Sequence, residues 1–197
     1  MTARAESGID LYWLPLGAGG RSVRVNGLVF EALAARLARR PACDLYHAAL
    51  VVCVPEGRFV IEMTPVRDGN GADRGVVGEG AVGSRWAGHL RIFRYEVRCW
   101  RGGSIPDVAE AVESPQRLTD DPARAQRLLE LACEVPTPVW GRDECHAGEM
   151  WNSNSLTAWL IACCGLPTES LHPPAGGRAP GWHAGLVLAR RREAQPG

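Results

Sequence analysis

Residues 45–54 and 58–65 are apolar and rich in β-branched side chains, and only Pro55-Glu56-Gly57 separates them. That spacing is the signature of an antiparallel hairpin, and it commits the middle of the chain to a sheet. His47 lies near the start of the first strand and Glu62 on the returning one, so the turn decides whether they can meet. A four-residue loop over 54–57 pairs Cys53 with Arg58 and puts Glu62 opposite Ala49. His47 is then its diagonal neighbour on the same face, roughly 7–8 Å away between backbones, which long side chains can bridge. A two-residue loop shifts Glu62 four residues along from His47, roughly 13 Å, and a three-residue loop turns it to the other face.

Around the hairpin, 26–40 reads as a helix: Leu33 and Leu37 recur at i, i+4, arginines fill the last turns and Pro41 follows. Residues 67–85 hold six glycines and little periodicity, which predicts a mobile connection. Within it Gly78-Glu79-Gly80-Ala81-Val82-Gly83 matches G-x-G-x-x-G. A dinucleotide site needs a helix opening at the end of that turn, and the strand expected from His89 leaves no room for one. In 89–100, Arg94, Glu96 and Arg98 alternate with Tyr95, Val97 and Cys99, predicting a half-exposed strand. A short helix is expected over 107–112. Another is expected from the N-cap and N1 pair Asp121-Pro122 to about Cys133, where Val135-Pro136-Thr137-Pro138 ends it. A further helix runs from Ser153 to Cys164, stopped by Gly165 and Pro167, and a Pro/Gly-rich stretch leads to a last apolar piece over 182–189. Residues 1–9 and 190–197 read as frayed ends, leaving a single domain over 10–190.

A chain of 197 residues that is 46% hydrophobic can bury one sizeable core. Its 22 basic residues balance 22 acidic ones, so the overall charge gives no case for nucleic acid or for an anionic membrane surface. No apolar run is long enough to span a membrane, and the first ten residues lack a signal peptide's apolar core; the expectation is a cytoplasmic protein. Every basic residue is arginine, which removes lysine-based mechanisms. The cysteines at 43, 53, 99, 133, 145, 163 and 164 contain no C-x-x-C pair and read as free thiols in a reducing compartment. Cys145-His146 and Cys43 with His47 supply only halves of a tetrahedral zinc set, so neither metal nor cofactor is expected.

Trp151-Asn152-Ser153-Asn154-Ser155-Leu156 places small polar residues at the start of an apolar helix. Ser and Asn are favoured helix caps. The same position offers free backbone N–H groups and the positive end of the helix dipole to an oxyanion, which suits a nucleophile.

A strand histidine, a polar residue on the returning strand and a later Asn-Ser-Asn-Ser helix start resemble, in that order, the circularly permuted branch of the papain-like fold. That branch includes permuted NlpC-type peptidases, lecithin-retinol-acyltransferase-like proteins and PPPDE-type deconjugating peptidases. The resemblance covers about residues 45–65 and 150–165. It implies an α+β fold in which an antiparallel sheet packs against the nucleophile-bearing helix. It places Ser153 at the nucleophile position, His47 at the base and Glu62 at the orienting residue, with Asn152, Asn154 and Ser155 supporting the oxyanion and first turn. Members of the branch use cysteine where this chain has Ser153, and a serine hydroxyl depends more heavily on a well-placed base. Three readings follow: a serine hydrolase or acyl transferase acting on an amide, ester or thioester of a small-molecule, peptide or lipid-like substrate; a scaffold without chemistry that binds a ligand or partner; or a serine substituted for a native cysteine. His89, His146, His172 and His183 are unassigned, with His146 a competing base.

Overall fold

The computed structural model describes residues 6–16, 43–66, 75–105 and 107–195. The helix expected over 26–40, the 67–74 part of the glycine-rich connection and the outermost residues of both termini lie outside them. Among the described residues, six strands form one antiparallel sheet and three α-helices follow, an α+β fold. The strands are β1 (Gly8–Pro15), β2 (Tyr46–Val54), β3 (Gly57–Pro65), β4 (Val76–Ala81), β5 (Arg94–Arg101) and β6 (Val112–Thr119); the helices are α1 (Pro122–Ala132), α2 (Ser153–Cys163) and α3 (Trp182–Glu193). The sheet order is β4-β5-β3-β2-β1-β6.

The central hairpin adopts the register in which Cys53 faces Arg58, but Val54 also pairs with Gly57, so the loop is the two residues Pro55-Glu56 rather than four. A two-residue loop placed there keeps this register instead of shifting Glu62 four residues along. β1, by contrast, begins inside the stretch expected to be frayed and occupies an internal position between β2 and β6. Its side chains alternate, and Ile9, Leu11 and Trp13 enter the main core at 1% exposure or less. The strand expected from His89 starts only at Arg94, because residues 87–89 and 91–93 form 3-10 turns. It is also more buried than expected: Glu96 and Arg98 are 2% and 8% exposed, since β5 is an internal strand between β4 and β3. β4 forms inside the stretch read as a mobile connection. The backbone of β5 supplies its partners, and the Tyr95 ring lies over Gly80, where a side chain would collide with it. The G-x-G-x-x-G match thus falls in a strand and the bend after it, with no α-helix at its end. Around 107–112 there is only a 3-10 turn, Val108–Glu110, leading into β6.

The two faces of the sheet are covered differently. On one, Leu50, Val52, Ile61 and Val97 pack with Leu128 of α1 and with Leu156 and Leu160 of α2. Each such side chain contributes on the order of 1.5–3 kcal/mol by leaving water. α1 starts where expected, the Asp121 carboxylate accepting the Ala123 N–H at 2.9 Å. α2 is buried along nearly its whole length, as expected for a segment that after Ser155 is apolar apart from Thr157, and Gly165 at φ +69° terminates it. α3 lies against α2, with Gly185 directly over the Ser155 carbonyl, and it continues through Arg190–Arg192, a stretch expected to fray. On the other face a smaller cluster joins Leu14, Ala49, Val51, Val60 and Ile105. Among the described residues no helix is long and apolar enough to cross a membrane.

Candidate functional site

The Asn-Ser-Asn-Ser segment is a network of hydrogen bonds at the start of α2. Asn152 is the N-cap; its side-chain oxygen accepts the N–H of Asn154 at 2.9 Å and of Ser155 at 3.2 Å. The Ser155 hydroxyl accepts the Asn152 N–H at 3.1 Å, closing a reciprocal capping box, and donates to the Gly181 carbonyl at 2.7 Å. Both asparagine amides reach outward. Asn152 donates to the Pro180 carbonyl at 2.8 Å, and Asn154 donates to Pro180 at 2.9 Å and to the Tyr46 carbonyl of β2 at 3.0 Å. Four small polar side chains were the legible signal. Three of them fasten α2 to the sheet and to the entrance of α3.

Ser153 takes no part in that network. It is 8% exposed, whereas Ser155 is fully buried and committed. The backbone donors expected to hold an oxyanion are partly engaged already, because the Asn154 N–H is bonded to the cap. The Asn154 side-chain oxygen is buried without a partner among the described residues.

His47 lies elsewhere. Strand alternation puts it with Ala49 and Val51 on the sheet face away from α2, while Tyr46, Ala48 and Leu50 point to the helices. Its cross-strand neighbour is Leu14, part of the second cluster. α2 reaches β2 from the other side, bonding the Tyr46 and Ala48 carbonyls through Asn154 and Thr157. The expected pair is therefore not brought together: the sheet separates the ring of His47 from the hydroxyl of Ser153. Burial lowers the His47 pKa to about 4, and the charge that opposes this shift is Asp107, not Glu62. The ring is neutral at neutral pH.

Glu62 shares the face of His47, since continuing the hairpin register by one residue sets it opposite Ala49. Its carboxylate is nevertheless engaged by Arg98, directly across the β3–β5 pair, at 3.2 Å. Arg98 also bonds Glu96, so one buried guanidinium holds two carboxylates. The alternation of Glu96 and Arg98 was visible in the sequence, but their burial was not. Of the other histidines, His89, His146, His172 and His183 are all exposed, and no side-chain hydrogen bond links any of them to Ser153. Among the described residues no three His, Cys, Asp or Glu side chains are grouped as metal ligands.

No family model matches this chain, and no curated protein or solved structure matches it significantly.

Proposed function

We propose that this chain is a non-catalytic binding protein on a permuted papain-like scaffold, whose Ser-His-Glu site is not assembled. One observation carries the reading: the sheet stands between Ser153 and His47. A serine nucleophile needs a base within roughly 2.6–3.2 Å of its proton, or one water further. A base on the opposite sheet face cannot meet that need, and Glu62 is bound to Arg98 rather than orienting the imidazole. The scaffold half of the proposal is supported by an antiparallel sheet that carries a helix headed by Asn-Ser-Asn-Ser. The function left to such a scaffold is recognition of a ligand, peptide or protein partner.

The hydrolase reading, through an acyl-Ser153 intermediate, keeps one observation in its favour. Ser153 is the one polar side chain of the cluster left out of the capping network, at the positive end of a buried helix. A serine-reactive fluorophosphonate probe separates the two. The binding reading expects no labelling of the folded protein. Labelling that disappears in both Ser153→Ala and His47→Ala overturns it, as does labelling abolished only by Ser155→Ala.

A further inference from the structure

Among the described residues, the segment 84–94 does something the rest of the surface does not. Trp86, Ile92, Leu90 and Phe93 are 81%, 72%, 55% and 41% exposed, four large apolar side chains within eight residues. Single exposed apolar residues are ordinary on a protein surface, whereas a cluster of this kind marks a surface that meets something. The same segment contains Arg85, Arg91 and Arg94 and no acidic residue, although the chain as a whole is neutral. Arg85 is tied to Glu144, and Arg94 to Glu79 at 2.6 Å, which sets both guanidinium groups at the base of the segment. Arg91 is exposed and has no ion-pair partner among the described residues.

The segment is also held in shape. Two successive 3-10 turns, Ala87–His89 and Arg91–Phe93, present these side chains. Its start is fixed by the Gly83 N–H bonded to the Trp140 carbonyl at 2.9 Å and by the Ala87 N–H bonded to the Ser84 hydroxyl at 3.1 Å; the Val82 N–H bonds the Phe93 carbonyl at 2.8 Å across its ends. Little further ordering is needed on binding, which lowers the cost of association.

From these features we infer that residues 84–94 dock the protein on an anionic bilayer surface. Side chains that project this far need either a protein with a matching pocket for each or a medium that conforms to any arrangement. The lipid interface is such a medium; it accepts Trp, Leu, Ile and Phe at the acyl boundary while arginines remain among the headgroups. The charge decides the lipid: Glu144 and Glu79 balance Arg85 and Arg94, and exposed Arg91 is left as the cation that faces an anionic headgroup layer. The docking uses none of the residues of the Asn-Ser-Asn-Ser cluster and stands or falls independently of whether Ser153 is reactive.

The test is co-sedimentation of the full chain with phosphatidylcholine vesicles containing or lacking phosphatidylglycerol. Binding is expected only to the anionic vesicles. Trp86→Ser and Ile92→Ser should each weaken partitioning about tenfold. Arg91→Gln should weaken it about fivefold at low salt and much less at high salt. All three substituted side chains are exposed, so thermal unfolding serves as the control and should be unchanged. Absence of binding to anionic vesicles overturns the inference, and so does binding insensitive to Trp86→Ser and Ile92→Ser. A concentration-dependent dimer in analytical ultracentrifugation that Ile92→Ser abolishes, with no vesicle binding, assigns the patch to a second copy of the chain instead.

Discussion

The two faces of the sheet are made by the same strands and have opposite chemistry. Toward α1, α2 and α3 the strands present Leu50, Val52, Ile61 and Val97, and the layer is held by apolar burial with the hydrogen bonds of Asn154 and Thr157 to the backbone of β2. On the other side the same strands present His47, Glu62, Glu96 and Arg98, together with Asp10 paired to Arg117 at 3.3 Å. The contrast teaches why the expected catalytic pair is split. A strand sends successive side chains to opposite faces, so a histidine beside Tyr46 and Ala48, which face α2, must face away from it.

The largest effect expected from this contrast is at Arg98. Arg98→Met leaves two carboxylates without their shared cation and should cost about 4 kcal/mol in chemical unfolding. Replacing Glu62 and Glu96 by Leu in the same variant should recover most of that loss, because an apolar layer of similar volume can substitute for a buried ion cluster. Should the triple variant stay as unstable as the single one, the charged face has a role beyond holding its own charges.

A smaller effect belongs to His47. Its pKa falls from 6.5 to about 4 on folding, so between those values the unfolded chain binds the proton that the folded chain refuses. Stability from this group is complete above about pH 6.5 and is lost as the pH falls toward 4. Between pH 7.5 and pH 5 the loss should be about 2 kcal/mol, and His47→Gln should flatten that part of the profile relative to the parent. An identical pH profile in the variant would put His47 in contact with water and undo the assignment of its face.

The smallest effect is on the helical face. Asn152→Ala removes the N-cap and should cost about 1 kcal/mol, read as a shift of roughly 2–4 °C in Tm for a chain of this size. A much larger cost would mean that its link to Pro180 holds α3 in place as well as capping α2.

Elements whose side chains carry their own signal were readable. The existence of the hairpin followed from two apolar runs and a short turn, although its register stayed open among three loop lengths until the strands paired, and α2 was bounded by a capping sequence and a C′ glycine whose chemistry is local. β4 and β6 gave no such signal. Glycines in β4 pair through backbone alone, and β6, Val-Glu-Ser-Pro-Gln-Arg-Leu-Thr, is an edge strand with a proline and no apolar alternation. β1 did carry an alternating pattern in Ile9, Leu11 and Trp13, and its position near the chain start obscured it. In the candidate site, the resemblance put Ser153 rather than Ser155 at the nucleophile position, and the structure commits Ser155 to the capping box, because the residue three places after a cap is the one that bonds back to it.

By itself the sequence determined the local matters: an antiparallel hairpin, a polar cluster that caps an apolar helix, and a neutral arginine-only charge balance. Only the tertiary structure decided which face of the sheet each of those residues occupies. Chain order records that His47 and Ser153 both exist, but their meeting depends on which side of β2 the helix packs. That side is chosen by the larger apolar surface buried on the face of Ala48, Leu50 and Val52, and the same choice leaves His47 on the opposite face beside Leu14.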